Sequence, residues 1–237
     1  QNYLYLTLAS RTDWVSNLAE ENRSITYPSA SISFVPTSVL DFGNLPVDFL
    51  KVRASYGTSA TFPTGYPIAS TLNLNTKDYK IDGVDVITNT SGSSLGNLGL
   101  KPELLAELEF GIEANLFDNR LSAEISYFDR ETTDLIITQP LDPSTGYTST
   151  RTNIGRIGSK GWEIDLNADW IRGDKFNWNT SVNYTTNQSI TEDLGQNTDQ
   201  IVYAGFSTRG NAAIPGLPLT SMIGTSVSRD SSGRPLI

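Results

Sequence analysis

Residues 104–117 read Leu-Leu-Ala-Glu-Leu-Glu-Phe-Gly-Ile-Glu-Ala-Asn-Leu-Phe, and residues 120–130, after an Asp118-Asn119 link, read Arg-Leu-Ser-Ala-Glu-Ile-Ser-Tyr-Phe-Asp-Arg. Apolar and polar residues alternate along both arms, which is the pattern of a β-strand because successive side chains point to opposite faces. Asp and Asn tolerate positive φ, so the link predicts a hairpin with a two-residue turn.

The length of these arms favours a membrane protein. Strands of soluble proteins are mostly about five or six residues long, whereas a tilted strand that crosses a bilayer needs about nine to eleven. The apolar side chains are therefore predicted to face lipid. The opposite face is predicted to line a polar lumen; its acidic members here and on a later strand are Glu107, Glu109, Glu113, Glu124, Glu163, Asp165 and Asp169.

The same alternation recurs along the chain. It predicts further strands over residues 2–14, 27–35, 49–57, 161–170 and 176–187, and a last one within 219–228. Compact turns at 118–119 and 172–175 contrast with long connections near 58–100, 132–160 and 188–218. Short turns on one rim and long extracellular loops on the other are typical of outer-membrane barrels. The prediction is all-β: residues 1–237 form about seven or eight strands of a larger antiparallel transmembrane β-barrel.

Aromatic residues gather near the predicted strand ends, where the girdles of a membrane barrel meet the lipid–water boundary. They are Trp14, Tyr27, Phe49, Tyr56, Phe117, Tyr127, Trp162, Trp170, Phe176 and Tyr184. Strands of a soluble β-sandwich also alternate and also bury aromatic rings. A secreted β-sandwich or adhesin-like binding module is therefore the alternative.

Composition excludes several functions. The chain has 237 residues, a formal net charge of −9, no cysteine and no histidine. Such an acidic chain is not expected to bind nucleic acid. Without histidine and cysteine it cannot build a Ser-His-Asp triad, a Cys-His dyad or a thiolate zinc site. We expect no enzymatic activity, no cofactor and no metal.

Several short stretches, in this order, resemble the barrel of SusC/RagA-like TonB-dependent transporters of Bacteroidetes. They lie at residues 2–14, 21–24, 27–34, 50–57 (Leu-Lys-Val-Arg-Ala-Ser-Tyr-Gly), 100–103 (Leu-Lys-Pro-Glu), 109–113 (Glu-Phe-Gly-Ile-Glu), 153–155 (Asn-Ile-Gly) and 160–163 (Lys-Gly-Trp-Glu). An Asn-Pro that often precedes Leu-Lys-Pro-Glu in the family is replaced by Asn97-Leu98-Gly99. The resemblance covers nearly all of the chain up to about Asn187.

The resemblance implies a nutrient importer of the cell outer membrane with about 22 barrel strands. It also implies an N-terminal plug domain, a SusD-like lipoprotein lid and energy supplied through TonB. The substrates it implies are oligosaccharides or peptides, and the barrel wall would contact membrane lipid. The chain begins and ends in strand-like or turn-like sequence, so it is expected to be an internal fragment that lacks the plug and the TonB-contacting segment.

Candidate site residues lie mainly on the long loops. Tyr66, Tyr79 and Tyr147 are the predicted ligand-binding residues, because loops on a rigid scaffold often carry binding and aromatic rings can stack on a sugar. The other loop aromatics considered are Phe62, Tyr203 and Phe206. Self-packing of the loops explains the same residues without a ligand.

The acidic residues allow three further interpretations. The acidic face is expected to be a hydrated lumen wall rather than a substrate path, and in it Lys51, Arg53 and Arg130 either pair with the carboxylates or remain solvated. Paired carboxylates also occur in secreted glycoside hydrolases, a third class of protein. Oxygen ligands for calcium are present at Asp78, Asp82 and Asp85, but their spacing does not match an EF-hand loop.

Overall fold

Antiparallel strands make up almost all of the regular structure. A computed structural model describes residues 2–195, 198–206, 209–229, 231–232 and 234. Its strands are β1 (Leu4–Trp14), β2 (Ser24–Phe34), β3 (Val47–Thr61), β4 (Leu72–Ile81), β5 (Val84–Ser91), β6 (Ser94–Leu95), β7 (Glu103–Leu116), β8 (Leu121–Thr133), β9 (Ile136–Pro140), β10 (Ser149–Asn153), β11 (Arg156–Arg172), β12 (Asn177–Asp193), β13 (Ile201–Phe206), β14 (Arg209–Ala213) and β15 (Met222–Ile223). Two short 3₁₀ helices lie at Pro36–Ser38 and Pro143–Thr145. None of the helices in the described part of the chain is long and apolar enough to cross a bilayer.

Seven of the strands form one sheet in the order β1-β2-β3-β7-β8-β11-β12. Each contains 11 to 17 residues, which is the length needed to cross a bilayer at a tilt. The connections alternate between two rims: 35–46, 117–120 and 173–176 lie on one, and 15–23, 62–102 and 134–155 lie on the other. The two shortest connections, 117–120 and 173–176, thus share one rim and the two longest, 62–102 and 134–155, share the other, as predicted, although 35–46 on the first rim is longer than 15–23 on the second.

The outward face of this sheet is apolar and uncovered. Phe110, Tyr127 and Trp162 stand side by side on neighbouring strands, and Ile112 lies one row further along. Phe110 and Trp162 are 49% and 48% exposed. A soluble β-sandwich would bury such rings under a second sheet. The β-sandwich alternative is therefore wrong, and the sheet is a segment of barrel wall that does not close on itself.

Aromatic rings mark both edges of this apolar face. Tyr127 and Trp162 pack with their ring centroids 5.0 Å apart. Near the other edge Trp170 donates a hydrogen bond from Nε1 to Thr180 Oγ1 at 2.9 Å. From Trp162 to Trp170 the strand rises about 26 Å, close to the apolar band of about 25 Å in membrane barrels.

The predicted strand ends need correction. Tyr127 and Trp162 lie inside their strands, because β8 continues to Thr133 and β11 already begins at Arg156. Beyond the aromatic row, the neighbouring outward residues are the exposed pair Asp129 and Lys160. The rings therefore mark the edge of the apolar band, and the strands extend past it into a polar zone where alternation no longer reveals them.

The long connections are correspondingly shorter and more structured than predicted. Within 58–100, β3 continues to Thr61 and β4 pairs with β5 as a hairpin. The predicted loop 132–160 is reduced to 134–155 and contains β9 and β10. The predicted loop 188–218 begins only after Asp193, because β12 extends to that residue, and it contains β13 and β14. In 219–228 only β15, Met222–Ile223, forms.

The central hairpin turn is also longer than a two-residue link. Phe117, Asp118 and Asn119 all have positive φ, between 55° and 59°, and strand pairing stops at Leu116 and Leu121. Three successive left-handed residues cannot continue a strand, so the turn spans 117–120. The register of the two arms nevertheless remains the one that a turn centred on 118–119 requires.

Candidate functional site

Arg53 on β3 is the centre of a charged cluster on the inward face. Its Nη1 donates to Glu113 on β7 and Glu124 on β8, both at 2.8 Å. Its Nη2 donates to Glu109 at 2.9 Å and to Ser126 Oγ at 2.7 Å. One guanidinium therefore links three neighbouring strands, which its planar fork of donors makes possible.

Gly111 provides the space for this arrangement. A Cβ at Gly111 would come within 2.6 Å of Arg53 Nε and 2.7 Å of Arg53 Cζ. Any larger residue would block the path of the Arg53 side chain across β7 to Ser126. The absence of a side chain at Gly111 thus serves a close approach, a common reason for glycine inside a strand.

Two more cations complete the inward face. Lys51 Nζ lies 2.9 Å from Glu113 Oε1. Arg130 forms an ion pair with Glu107 on the adjacent strand. All three cations considered from the sequence therefore pair with the acidic face. These carboxylates are engaged by cations, which gives no support to a hydrolytic pair.

Phe128 is an inward residue that the sequence analysis did not single out. Its side chain is buried over Gly161, where a Cβ would lie 2.8 Å from Phe128 Cζ and would collide with the carbonyl oxygen of Thr186. Arg130 Cζ stands 5.3 Å from the centre of the Phe128 ring. The period of two places Phe128 beside Glu124 and Ser126, so the face was predictable although the contact was not.

The remaining inward acids lie on β11. Asp169 pairs with Arg172 at 2.8 Å, and Asp165 accepts a hydrogen bond from Asn183. Together with the clusters around Arg53 and Arg130, these contacts make the inward face largely polar, with Phe128 as an apolar exception. That arrangement matches the hydrated wall expected from the alternation.

At the long-loop rim, two of the short motifs meet. Asn153 Oδ1 accepts the Lys101 N–H at 2.7 Å, and its Nδ2 donates to the carbonyls of Lys101 at 2.9 Å and Asp134 at 2.8 Å. Glu103 Oε1 accepts the N–H of Ile136 at 2.8 Å. The Leu-Lys-Pro-Glu and Asn-Ile-Gly motifs thus join the loops 62–102 and 134–155.

A polar cavity of about 410 Å³ opens between these two loops. Its walls include Tyr66, Thr71, Asn73, Ser93, Ser94 and Arg151. Arg151 is held in place because its Nη1 donates to the carbonyl of Thr64 at 2.9 Å, while Asn97 Nδ2 donates to the Arg151 carbonyl at 2.8 Å.

The structure separates the three predicted ligand-binding residues. Tyr66 lines this cavity and is 66% exposed. Tyr79 lies on the β4–β5 hairpin opposite Val86, and Tyr147 follows the short helix 143–145; neither is among the residues that line the cavity. The cavity wall instead contains Arg151, which is not aromatic and is not among the residues predicted from the sequence.

The other loop aromatics have separate surroundings. Tyr203 donates from its hydroxyl to the Leu219 carbonyl at 2.6 Å, which fixes it within its own loop. Phe62 is half-buried just after β3. The side chain of Phe206 lies outside the described part of the structure.

The three aspartates considered for calcium form no described site. Asp82 occupies the hairpin turn with φ 50°, and Asp85 pairs with Lys80 at 3.2 Å. The side chain of Asp78 lies outside the described part of the structure. Among the side chains that are described, no group of three or more acidic residues could hold a metal ion.

Comparison with known families agrees with this geometry. The family model described as "TonB dependent receptor-like, beta-barrel" matches residues 1–224. The chain belongs to this family. Membership accounts for a two-faced sheet of long strands with asymmetric rims.

The family includes curated relatives from Formosa agariphila. TonB-dependent receptor P26 is 32% identical over 211 residues, which cover 82% of this chain and 20% of that receptor. TonB-dependent receptor P3 is 31% identical over 198 residues, covering 79% of this chain and 19% of that receptor. The chain thus spans about a fifth of the length of these relatives. They are named as receptors, not as enzymes.

Solved structures of transporters show the same fold. The RagAB peptide transporter superposes with a TM-score of 0.78 at 23% identity, over 90% of this chain and 23% of that one. The RagAB peptide importer in its "closed-closed" state gives 0.80 at 20% identity, over 99% and 27%. The seven-stranded sheet therefore has the fold of part of a RagA-like barrel.

Proposed function

We propose that this chain forms part of the wall and the extracellular loops of a TonB-dependent importer in the cell outer membrane. The observation that carries the proposal is the contrast between the two faces of one sheet. Phe110 and Trp162 expose large apolar surfaces on one side, whereas Arg53 and its carboxylates occupy the other. Family membership and the superposition on a transporter barrel support the same role.

The two rims then lie on opposite sides of the membrane. The rim of compact turns, 117–120 and 173–176, faces the periplasm, and the rim with loops 62–102 and 134–155 faces the outside. Under this proposal the whole of 1–237 is barrel, with long extracellular loops. The plug and the TonB-contacting segment belong to other parts of the receptor.

The cargo and partners follow as part of the same proposal. Oligosaccharides or peptides would enter past the long-loop rim, where Tyr66, Tyr79 and Tyr147 would contact cargo or partner. A SusD-like lipoprotein would cover that rim, as the resemblance to SusC/RagA-like transporters implies. TonB would act through the plug, and lipid would cover the apolar face.

Single cysteines placed on both faces of the sheet test this proposal. The 237 residues contain no native cysteine. Any cysteine elsewhere in the whole receptor is replaced by serine, so that each variant carries a single labelling site. Fluorophores attached at Phe110→Cys and Leu166→Cys should be quenched by brominated lipids. Fluorophores at Ser55→Cys and Ser122→Cys should be quenched by iodide in water. Equal responses at all four positions, or a receptor absent from the outer-membrane fraction, would reject the proposal.

A further inference from the structure

The cavity between loops 62–102 and 134–155 carries a net positive charge. Its described walls include Arg151 but no aspartate or glutamate. Arg151 makes no ion pair with any residue that the structure describes; its one side-chain hydrogen bond to the protein goes to the Thr64 carbonyl. This contrasts with Arg53 and Arg130, which are paired with carboxylates, in a chain whose net charge is −9. The cavity is thus suited to an anionic group.

The rest of the wall is suited to a polyhydroxylated ligand. The side chains of Thr71, Asn73, Ser93 and Ser94 line the cavity, and none of them hydrogen-bonds to another described residue. Hydroxyl and amide groups both donate and accept, which matches the hydroxyls of a sugar. The exposed ring of Tyr66 offers an apolar surface on the same wall.

A sugar fits this wall better than a peptide does. A peptide that binds by adding to a strand edge also needs apolar pockets for its alternate side chains. Here the apolar part of the wall consists mainly of Pro67 and Ala69 beside Tyr66, and the volume of about 410 Å³ lies at the small end of known ligand sites. RagA shares the fold of this chain, and its peptide cargo does not fix the cargo here.

We propose that this cavity binds an oligosaccharide that bears an anionic substituent, a carboxylate or a sulfate, which Arg151 holds while Tyr66 packs against a sugar ring. This inference rests on the proposed importer function and names its substrate class. The guanidinium is preorganised by Thr64, so its remaining N–H groups can donate to the anion without a large loss of side-chain entropy.

Binding is tested by calorimetry with the whole receptor in detergent. The probes are oligosaccharides of one length that are neutral, uronate-bearing or sulfated. The wild-type receptor should bind at least one of the anionic probes more tightly than the neutral one. Arg151→Gln should weaken that binding about 10- to 100-fold and leave neutral-probe binding within about twofold, since a charged hydrogen bond is lost. Comparing the affinities of the uronate-bearing and sulfated probes identifies the anion that Arg151 binds.

Three variants separate recognition from folding. Arg23→Gln removes an exposed cation of the loop 15–23, which lies on the same rim but outside the cavity wall. It should leave the affinity for every probe unchanged. Arg151→Lys keeps the charge and should retain part of the affinity. Tyr66→Ala should weaken the binding of all the oligosaccharides to a similar extent.

Two results would overturn the inference. One is equal weakening of neutral and anionic probes by Arg151→Gln; the other is binding of peptides, but not oligosaccharides, that depends on Arg151. In either case the lipid- and iodide-quenching pattern of the same receptor would still stand, so failure of this inference can be told apart from failure of the importer proposal.

Discussion

The guanidinium of Arg53 lies directly over Gly111, with Nε 2.6 Å from the point where a Cβ would stand. Glycine in the middle of a strand is normally unfavourable, because it loses backbone entropy and contributes no side-chain contact. Here it lets one cation reach carboxylates on two further strands. Gly111 and Arg53 therefore act as one unit that joins β3, β7 and β8.

We predict that Gly111→Ala lowers the stability of the barrel by about 1–2 kcal/mol. The new Cβ displaces Arg53, which then loses its hydrogen bonds to Glu124 and Ser126. Urea unfolding of the whole receptor in lipid vesicles measures the change. The matched control is Gly57→Ala on β3, where a Cβ meets no atom within 4 Å. An equal effect at both glycines would contradict the role given to Arg53.

Replacing Arg53 itself should show that geometry matters as well as charge. Arg53→Lys keeps one positive charge but cannot hold Glu109, Glu113 and Glu124 together, so we expect a loss of about 1–2 kcal/mol. The side chain is only 25% exposed, so water compensates little of this. Arg11→Lys is the control, because Arg11 is 72% exposed and, among the residues that the structure describes, forms an ion pair only with Asp13. Equal unfolding midpoints for Arg53→Lys and the wild type would contradict the prediction.

A double-mutant cycle tests whether the effects of substitutions at Arg53 and Gly111 on stability are coupled. Once Arg53 is replaced by methionine, Gly111→Ala has no guanidinium to displace. Its cost should then fall to that of an ordinary strand substitution, within about 0.5 kcal/mol of zero. Additive effects of the two substitutions would mean that Gly111 is needed for some other reason.

The sequence was sufficient for the two faces of the sheet but not for the pairs across it. Alternation placed Arg53 and Glu109 on one face, and the position of Asp118-Asn119 gave the register of the hairpin correctly. β3 and β7, however, are separated by residues 62–102, and nothing local sets which residues of the two strands lie opposite each other. The contact between Arg53 and Glu109 depends on that register.

The rim was harder to predict for a different reason. Beyond the apolar band both faces of a strand meet water, so the contrast on which alternation depends disappears. The ends of β3 and β8 were not predicted for this reason, and the rim strands β13 and β14 were not predicted either. Tyr66 was found because an aromatic ring in a loop stands out. Arg151 could not be recognised from the sequence, because the absence of an acidic residue from the described cavity wall depends on how the two loops fold.

Phe128 should be one of the few residues whose truncation is costly. It is 8% exposed and covers Gly161, so Phe128→Ala removes a ring from a closed contact and should cost about 2–4 kcal/mol. Phe176→Ala, at a 61% exposed turn position, should cost less than about 1 kcal/mol. Urea unfolding in lipid vesicles compares the two variants. A smaller loss of stability for Phe128→Ala than for Phe176→Ala would show that burial of the Phe128 ring does not stabilise the barrel.

Asn153 should control the order of the long-loop rim without affecting the barrel wall. Its side chain makes three hydrogen bonds, two to Lys101 and one to Asp134, and these groups become unpaired in Asn153→Ala. We expect limited proteolysis of loop 62–102 to become severalfold faster, while the unfolding midpoint of the strands stays nearly constant, because rim loops can open locally. Asn89→Ala on the β4–β5 hairpin is the control, since its amide makes no hydrogen bond to a described residue. If both variants are cleaved at the wild-type rate, the two loops must be held together mainly by other contacts, such as the pairing of Ser149 with Ser94.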